Sequence, residues 1–177
     1  MKKILVVVDM QNDFVDENVL GNAECKAVIP KIKEKIENGQ YDHIIFTKDT
    51  HNDDYLETQE GKNLPVKHCI LGSDGWALVK EINDAAKNSS AKTIEYITKD
   101  TFGSKELGQS IADIKEDKEV EMVGVCTGIC VISNALLIKA FNPEVKITVD
   151  SNCCACVTPK SHETALEAMK LCQINII

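Results

Sequence analysis

Three residues that could share one reaction stand just beyond apolar runs. Asp9 follows Ile4–Val8, Lys99 follows Thr93–Thr98, and Cys130 lies shortly after Val120–Val125. Each alone has an ordinary explanation. Asp9 could open a turn with Gln11 and Asn12, Lys99 could be solvated, and Cys130 could pack as a small hydrophobe. Together they supply a nucleophile, a base and a cation. A thiol near the first turn of a helix feels the positive end of the macrodipole, which favours thiolate. A lysine nearby adds to this, and a carboxylate can take the thiol proton. Small residues ahead of the thiol (Cys126, Thr127, Gly128) leave backbone N–H groups free to face an oxyanion.

A second constellation follows the run His43–Thr47. Asp49 and His51 are two apart, so in extended chain both project to one side. His68 stands further along the same polar stretch. Two imidazoles and a carboxylate suit a divalent metal, Zn²⁺ foremost with Fe²⁺ or Mn²⁺ as alternatives, and leave positions open for water or substrate. As bare spacing, Asp-x-His with a distant His is a weak signal, and ordinary loop polarity competes with it.

The elements that must position these groups alternate. Strands are expected at Ile4–Val8, His43–Thr47, Thr93–Thr98, Val120–Val125, Val145–Val149 and Ile174–Ile177. Helices are expected around Pro30–Asn38, closed by Gly39, and at Trp76–Ala86, Lys105–Ile114, Gly128–Phe141 and Pro159–Cys172. Thr158-Pro159 provides an N-cap and first helical position for the last. The pattern predicts a doubly wound, Rossmann-like α/β fold: a three-layer sandwich on a six-stranded parallel sheet of order 3-2-1-4-5-6. In that order Asp9 and the Cys130 loop leave adjacent strands at the topological switch point. The polar stretch Lys48–Gly75 breaks the alternation, and its length and two histidines mark it as functional.

Composition narrows the class. The chain has 177 residues, enough for one domain over 1–177 with a core that needs no staples. A net charge of -8 offers no basic stripe for phosphates, which argues against nucleic acid as a partner. No apolar run reaches membrane-spanning length, and Asp9 cuts short the run that might imitate a secretion signal. The expectation is a cytoplasmic protein without a membrane partner, whose eight cysteines are mostly buried thiols rather than disulfides.

The segment Asp9-Met10-Gln11-Asn12-Asp13-Phe14 after an apolar strand resembles the opening signature of the isochorismatase-like cysteine hydrolases. Lys99 and the segment Gly124-Val125-Cys126-Thr127-Gly128-Ile129-Cys130 resemble that family's two other signatures, in the same order. The resemblance runs over nearly the whole chain. It implies a catalytic triad of Asp9, Lys99 and Cys130, in which the cysteine attacks a carbonyl carbon and forms a thioester that water hydrolyses. It also implies a cis peptide between Val125 and Cys126, with the Cys126 and Cys130 N–H groups as the oxyanion hole. Asp49, His51 and His68 match the metal ligands of the nicotinamidase and pyrazinamidase branch, where the ion receives a ring nitrogen. The implied partner is then a small-molecule amide, nicotinamide first, with Phe14 and Val125 touching it and Phe102 or Trp76 as further aromatics. Another small amide or ureido compound is the alternative, and a homo-oligomer is possible.

Two features depart from that branch. Its common Trp-Pro-x-His-Cys segment is here Leu64-Pro65-Val66-Lys67-His68-Cys69, without the Trp and with one more residue before His. The stretch Lys99-Asp100-Thr101-Phe102-Gly103-Ser104 is also short. A different class stays in view, a thiol-based metal-binding or redox protein built on Cys126, Cys130, Cys153 and Cys156, although these spacings are unlike structural zinc knuckles. His43, His162 and the run Lys115–Glu119 receive no role.

Overall fold

The structure is a computed structural model describing residues 1–177. Six strands form one parallel sheet: β1 Lys2–Val8, β2 His43–Asp49, β3 Thr93–Lys99, β4 Lys118–Val125, β5 Lys146–Ala155 and β6 Asn175–Ile176. Their order is β3-β2-β1-β4-β5-β6, as the alternation predicts. Helices α1 Ala23–Ala27, α2 Ile29–Asn38, α3 Gln59–Asn63, α4 Lys80–Asn88, α5 Lys105–Asp113, α6 Ile132–Phe141 and α7 Pro159–Leu171 complete the chain.

β1 is buried on both faces, which is why it reads as an unbroken apolar run rather than an alternating one. Ile4, Val6 and Val8 face a core with Leu107 and Ile111 of α5, Ala135 and Ile138 of α6 and Met169 of α7. Leu5 and Val7 face the opposite core, with Ile32 and Ile36 of α2 and Ile82 and Ala85 of α4. Two such cores, one on each side of the sheet, hold the strand ends rigidly enough to carry a site. No helix is long and apolar enough to cross a membrane.

The expected elements differ from the observed ones at instructive points. β5 runs to Ala155 rather than ending near Val149, because the β4–β5 register shifts between Met122 and Gly124 and then resumes with Gly124 opposite Cys154. Gly124 has φ +118, and a Cβ there would lie 2.1 Å from the Val8 carbonyl oxygen, so only glycine fits. The helix expected from Trp76 starts at Lys80, because Trp76–Val79 is held back by the first loop: Asn12 N–H bonds Ala77 O at 3.0 Å and Val79 N–H bonds Met10 O at 2.9 Å. The helix expected from Gly128 begins as a π-type turn over Thr127–Val131 and becomes α6 at Ile132. Lys118 and Glu119, outside the strand expected at Val120–Val125, already belong to β4. The long polar stretch contains a 3₁₀ turn at Tyr55–Glu57 and α3.

Candidate active site

The ends of β1, β2, β3 and β4 converge, and all three sequence-singled groups meet there. Asp9 is fully buried, and Lys99 and Cys130 are each 5 % exposed. Lys99 Nζ lies 2.6 Å from Asp9 Oδ2 and 3.7 Å from Cys130 Sγ. The buried ammonium pairs directly with this oxygen. Asp9 Oδ1 accepts from the Thr47 hydroxyl at 2.6 Å, and the Asp9 N–H bonds the Thr47 carbonyl at 3.2 Å. Asp9 takes this position in the left-handed region, φ 49, which a short carboxylate side chain tolerates better than most.

The protonation pattern differs from the thiolate expected of a helix N-terminus. Burial and the Asp9 carboxylate push the Cys130 thiol well above its ordinary value, and Lys99 offsets them only in part. Burial also raises Asp9, with Lys99 pulling the other way. Lys99 stays charged although burial opposes it, because Asp9, Cys130 and Asp49 all favour the ammonium. The resting site is therefore a protonated thiol beside a carboxylate, clamped by a permanent cation. Water exclusion outweighs the helix dipole here because the dipole is a partial charge.

The peptide Val125–Cys126 is cis. The Cys126 carbonyl accepts from Ile129 N–H at 3.0 Å and Val131 N–H at 3.1 Å, which shapes the turn presenting Cys130. Asn134, fully buried, braces that turn: its amide donates to the carbonyls of Cys130 (2.9 Å) and Phe102 (3.1 Å), and its oxygen accepts from Ser104 N–H (2.9 Å). It thereby ties the turn after Lys99 to the cysteine. The Val125 side chain is fully buried in the α2/α4 core.

Asp49, His51 and His68 also converge, all buried, with one ligand atom each inside a mutual 4.8 Å. Asp49 Oδ2 is 2.9 Å from His51 Nε2 and 3.4 Å from His68 Nε2. The donor set fits a divalent cation on two further counts. His68 Nδ1 faces the Val66 carbonyl at 2.8 Å, which fixes the tautomer that leaves Nε2 free to ligate. Burial would lift Asp49, yet both histidines and Lys99 hold its carboxyl below the usual range, so it is anionic. Two imidazoles and a buried carboxylate are a divalent site's ordinary ligands.

Asp49 belongs to both clusters. Its Oδ1 lies 3.1 Å from Lys99 Nζ while Oδ2 faces the histidines. Gln11 holds its backbone from both sides, donating to Asp49 O at 2.8 Å and accepting from Asp49 N–H at 2.7 Å. Asp13 accepts from Cys69 N–H at 2.7 Å and so docks the loop carrying His68.

Sequence reading passed over several of these neighbours. Glu60 Oε1 lies 3.7 Å from His51 Nε2 and 3.8 Å from His68 Nε2, and the Tyr55 ring packs on both imidazoles at 4.7 and 4.9 Å. Both come from the polar stretch, where no periodicity announces direction. Phe14 is beside His68, with ring centroids 5.6 Å apart. Trp76 is committed elsewhere: its indole N–H donates to Thr50 Oγ1 at 2.9 Å and Lys48 covers its ring. Phe102 borders a cleft of about 570 Å³ along the turn after Lys99. His43, given no role, pairs with Glu95 at 3.1 Å, and His162 reaches the Thr127 hydroxyl at 2.7 Å.

A doubly wound parallel sheet with a buried Asp–Lys–Cys cluster beside an Asp–His–His set at its switch point defines a class of α/β protein with a thiol centre. The chain belongs to the isochorismatase family, whose domain model matches residues 3–177. It is similar to the crystal structure of nicotinamidase/pyrazinamidase PncA from Bacillus subtilis, at 28% identity and TM-score 0.76, covering 99% of each chain. It also resembles the pyrazinamidase of Pyrococcus horikoshii in complex with zinc, at 25% identity and TM-score 0.75, covering 100% of this chain and 99% of that one. A nicotinamidase of Schizosaccharomyces pombe is 26% identical over 75% of this chain and 74% of its own length.

Proposed function

We propose that the protein is a cysteine amidohydrolase that converts nicotinamide to nicotinate and ammonia. The observation that carries this is Asp49, one carboxylate facing His51 and His68 with one oxygen and Lys99 of the thiol centre with the other. A metal held by Asp49, His51 and His68 would anchor a ring nitrogen next to the thiol centre. The relatives' own activities support the same reading.

Asp9 takes the Cys130 thiol proton as sulfur attacks the amide carbon, because the thiol starts protonated and a free thiolate is not available in the resting site. The C=O π pair moves to oxygen, which accepts from the N–H groups of Cys126 and Cys130. Asp9 then gives its proton to the amide nitrogen, the C–N bond breaks, ammonia leaves, and a Cys130 thioester remains. A water loses its proton to Asp9 and attacks the thioester; the C–S bond breaks, the proton returns to sulfur, and nicotinate is released. Lys99 stays charged throughout and favours the ionised form of Asp9 without itself trading protons. Phe14 packs beside the incoming ring. A divalent metal, Zn²⁺ by donor chemistry and by the zinc-bound relative, held by Asp49, His51 and His68, supplies a Lewis-acid anchor for the ring nitrogen. Eight free thiols, seven of them at least half-buried, support a cytoplasmic setting.

The test is ammonia release from nicotinamide, run with wild type, Cys130→Ala, and chelated and metal-restored samples. Release that vanishes in Cys130→Ala and returns with metal is the expected result. Undiminished release by Cys130→Ala would sink the thioester, and full activity after chelation would sink the metal's role.

A further inference from the structure

Three thiols that this mechanism leaves idle gather behind the nucleophile turn. Cys126 stands within hydrogen-bonding reach of both Cys25 and Cys156. Asn22 links the outer two, accepting from Cys25 N–H at 2.8 Å and donating to Cys156 O at 3.0 Å. Cys153 and Cys154, the other half of the cysteine-rich stretch, go elsewhere: they pack in opposite cores on the two faces of the sheet.

Contacts between the nucleophile turn and the end of β5 favour one of these pairings. The β4–β5 ladder has Val125 opposite Ala155 as its last pair. Just beyond it the Thr127 hydroxyl donates to the Ala155 carbonyl at 3.0 Å and the Gly128 N–H points at Cys156 Sγ at 3.3 Å, so the turn that Cys126 opens lies against Cys156. Cys156 is itself buried, 3 % exposed, but it lines the walls of two surface clefts of about 300 and 570 Å³ through which a small peroxide can approach.

We propose that Cys126 and Cys156 are a peroxide-reactive dithiol, a modification site in which a hydroperoxide oxidises Cys156 and Cys126 resolves the product to an intramolecular disulfide. Cys156 is the attacking member. The Cys126 thiol donates to it, the Gly128 N–H points at its sulfur at 3.3 Å, and Ser161 adds a third contact. Together these outweigh burial and bring it down to about 5, so it is thiolate at neutral pH. Cys126, donating the bond, is pushed up by the same contact and stays protonated. Cys156 sulfur attacks the peroxide O–O bond, forming a sulfenic acid and releasing hydroxide, or alkoxide from an organic peroxide. Cys126 then attacks the sulfenic sulfur; its proton leaves with the hydroxyl as water, and the S–S bond forms. The two thiols lose two electrons and the peroxide gains them. The bond fastens the first residue of the nucleophile turn to the end of β5.

The experiment treats the purified full-length protein with a small excess of hydrogen peroxide, blocks remaining thiols, and maps tryptic peptides by mass spectrometry. Cys126 and Cys156 fall in separate peptides, 119–139 and 147–160. The expected product joins these two through Cys126 and Cys156, is reversed by dithiothreitol, and is absent from Cys156→Ser while Cys154→Ser retains it. Brief alkylation of untreated wild type at pH 6 should label Cys156 at least ten-fold faster than the exposed Cys172. A cross-link of Cys126 to Cys25 instead, or oxidation confined to Cys130 and Cys172, overturns the assignment. The wild-type map is read without any activity, so it stands or falls separately from the amidohydrolase proposal.

Discussion

At the scale of single residues, the site is governed by how strongly water is excluded. The same burial that keeps the Cys130 thiol protonated also raises Asp9, so the proton can pass between groups that a solvated pair would hold apart. Burial and Lys99 dominate Asp9, and Thr47 adds a smaller pull. Its hydroxyl donates to Asp9 Oδ1 at 2.6 Å and draws that carboxyl downward. A hydrogen bond to a charged acceptor is worth roughly 1.5–3 kcal/mol. Thr47→Val keeps the shape and removes the donor, so Asp9 titrates higher and orients less well. The expected outcome is a fall in kcat of about ten-fold or more with KM within about two-fold. The acid limb of the kcat profile should also move to higher pH, because the ionised form of Asp9 is the base. A pH–rate series on the two proteins checks it; an acid limb that stays put would remove Thr47 from control of Asp9. Asp9, Lys99 and Cys130 were legible in the sequence because each stands just beyond an apolar run, whereas Thr47 was read only as the end of a strand. Their protonation was not, since it depends on which atoms other elements bury.

At the scale of elements, the segment Asp9–Phe14 builds both halves of the site. Gln11 brackets the Asp49 backbone, Asn12 and Met10 hold Trp76–Val79 out of the helix, and Asp13 caps Cys69. The loop carrying His68 is thus anchored mainly by side chains and backbone of one short turn, and His51 adds two ladder-like bonds, N–H to Cys69 O at 3.0 Å and O from Leu71 N–H at 2.8 Å. Cys69 itself has φ 47, a conformation the Asp13 bond helps to hold. Asp13→Ala removes that bond while leaving all three metal-facing side chains in place. Metal affinity should fall roughly 10–100-fold, the usual cost of losing support behind a ligand, with Asp13→Asn closer to wild type because its amide oxygen still accepts. Isothermal titration of chelated protein with Zn²⁺ reads this directly, and equal affinities in all three proteins would refute the anchoring role. Strand and helix order was readable here from alternation. The placement of Glu60 and Tyr55 was not, because α3 and its preceding turn are too short to carry a periodic pattern. The extension of β5 was hidden for another reason: Asp150, Ser151 and Asn152 look like a turn, and the shift opposite Gly124, with the Ser151 N–H bond to the Ile177 carbonyl, keeps them in the strand.

At the scale of the whole molecule, charge is distributed so that repulsion among a net -8 is relieved at a few half-buried points. The clearest joins three elements: Lys35 of α2 reaches Asp150 of β5 at 2.6 Å and also contacts Glu121 of β4, whose other oxygen accepts from Tyr41 at 2.9 Å. Burial lifts Asp150, but the Lys35 hydrogen bond and charge outweigh it and leave the carboxyl below its ordinary value of 3.8. Lys35 is raised above 10.5 despite burial, through Asp150 and Glu121. The sign for each follows from linkage. The depressed carboxyl stabilises the fold above about pH 4, and that contribution is lost as pH falls through its folded value. The raised ammonium stabilises below about pH 10.5, and its share is lost as pH climbs beyond. Between those limits the cluster contributes fully. Water still reaches these side chains, so Lys35→Met should cost only about 1 kcal/mol at pH 7, at the upper end for a partly exposed pair. Urea unfolding at several pH values would compare the two proteins. The gap between them should be constant from pH 5 to 9 and close below about pH 4, where the carboxyls of both proteins become protonated. A gap that persists undiminished at pH 3 would mean that the lysine stem's packing, and not its charge, joins α2 to the sheet.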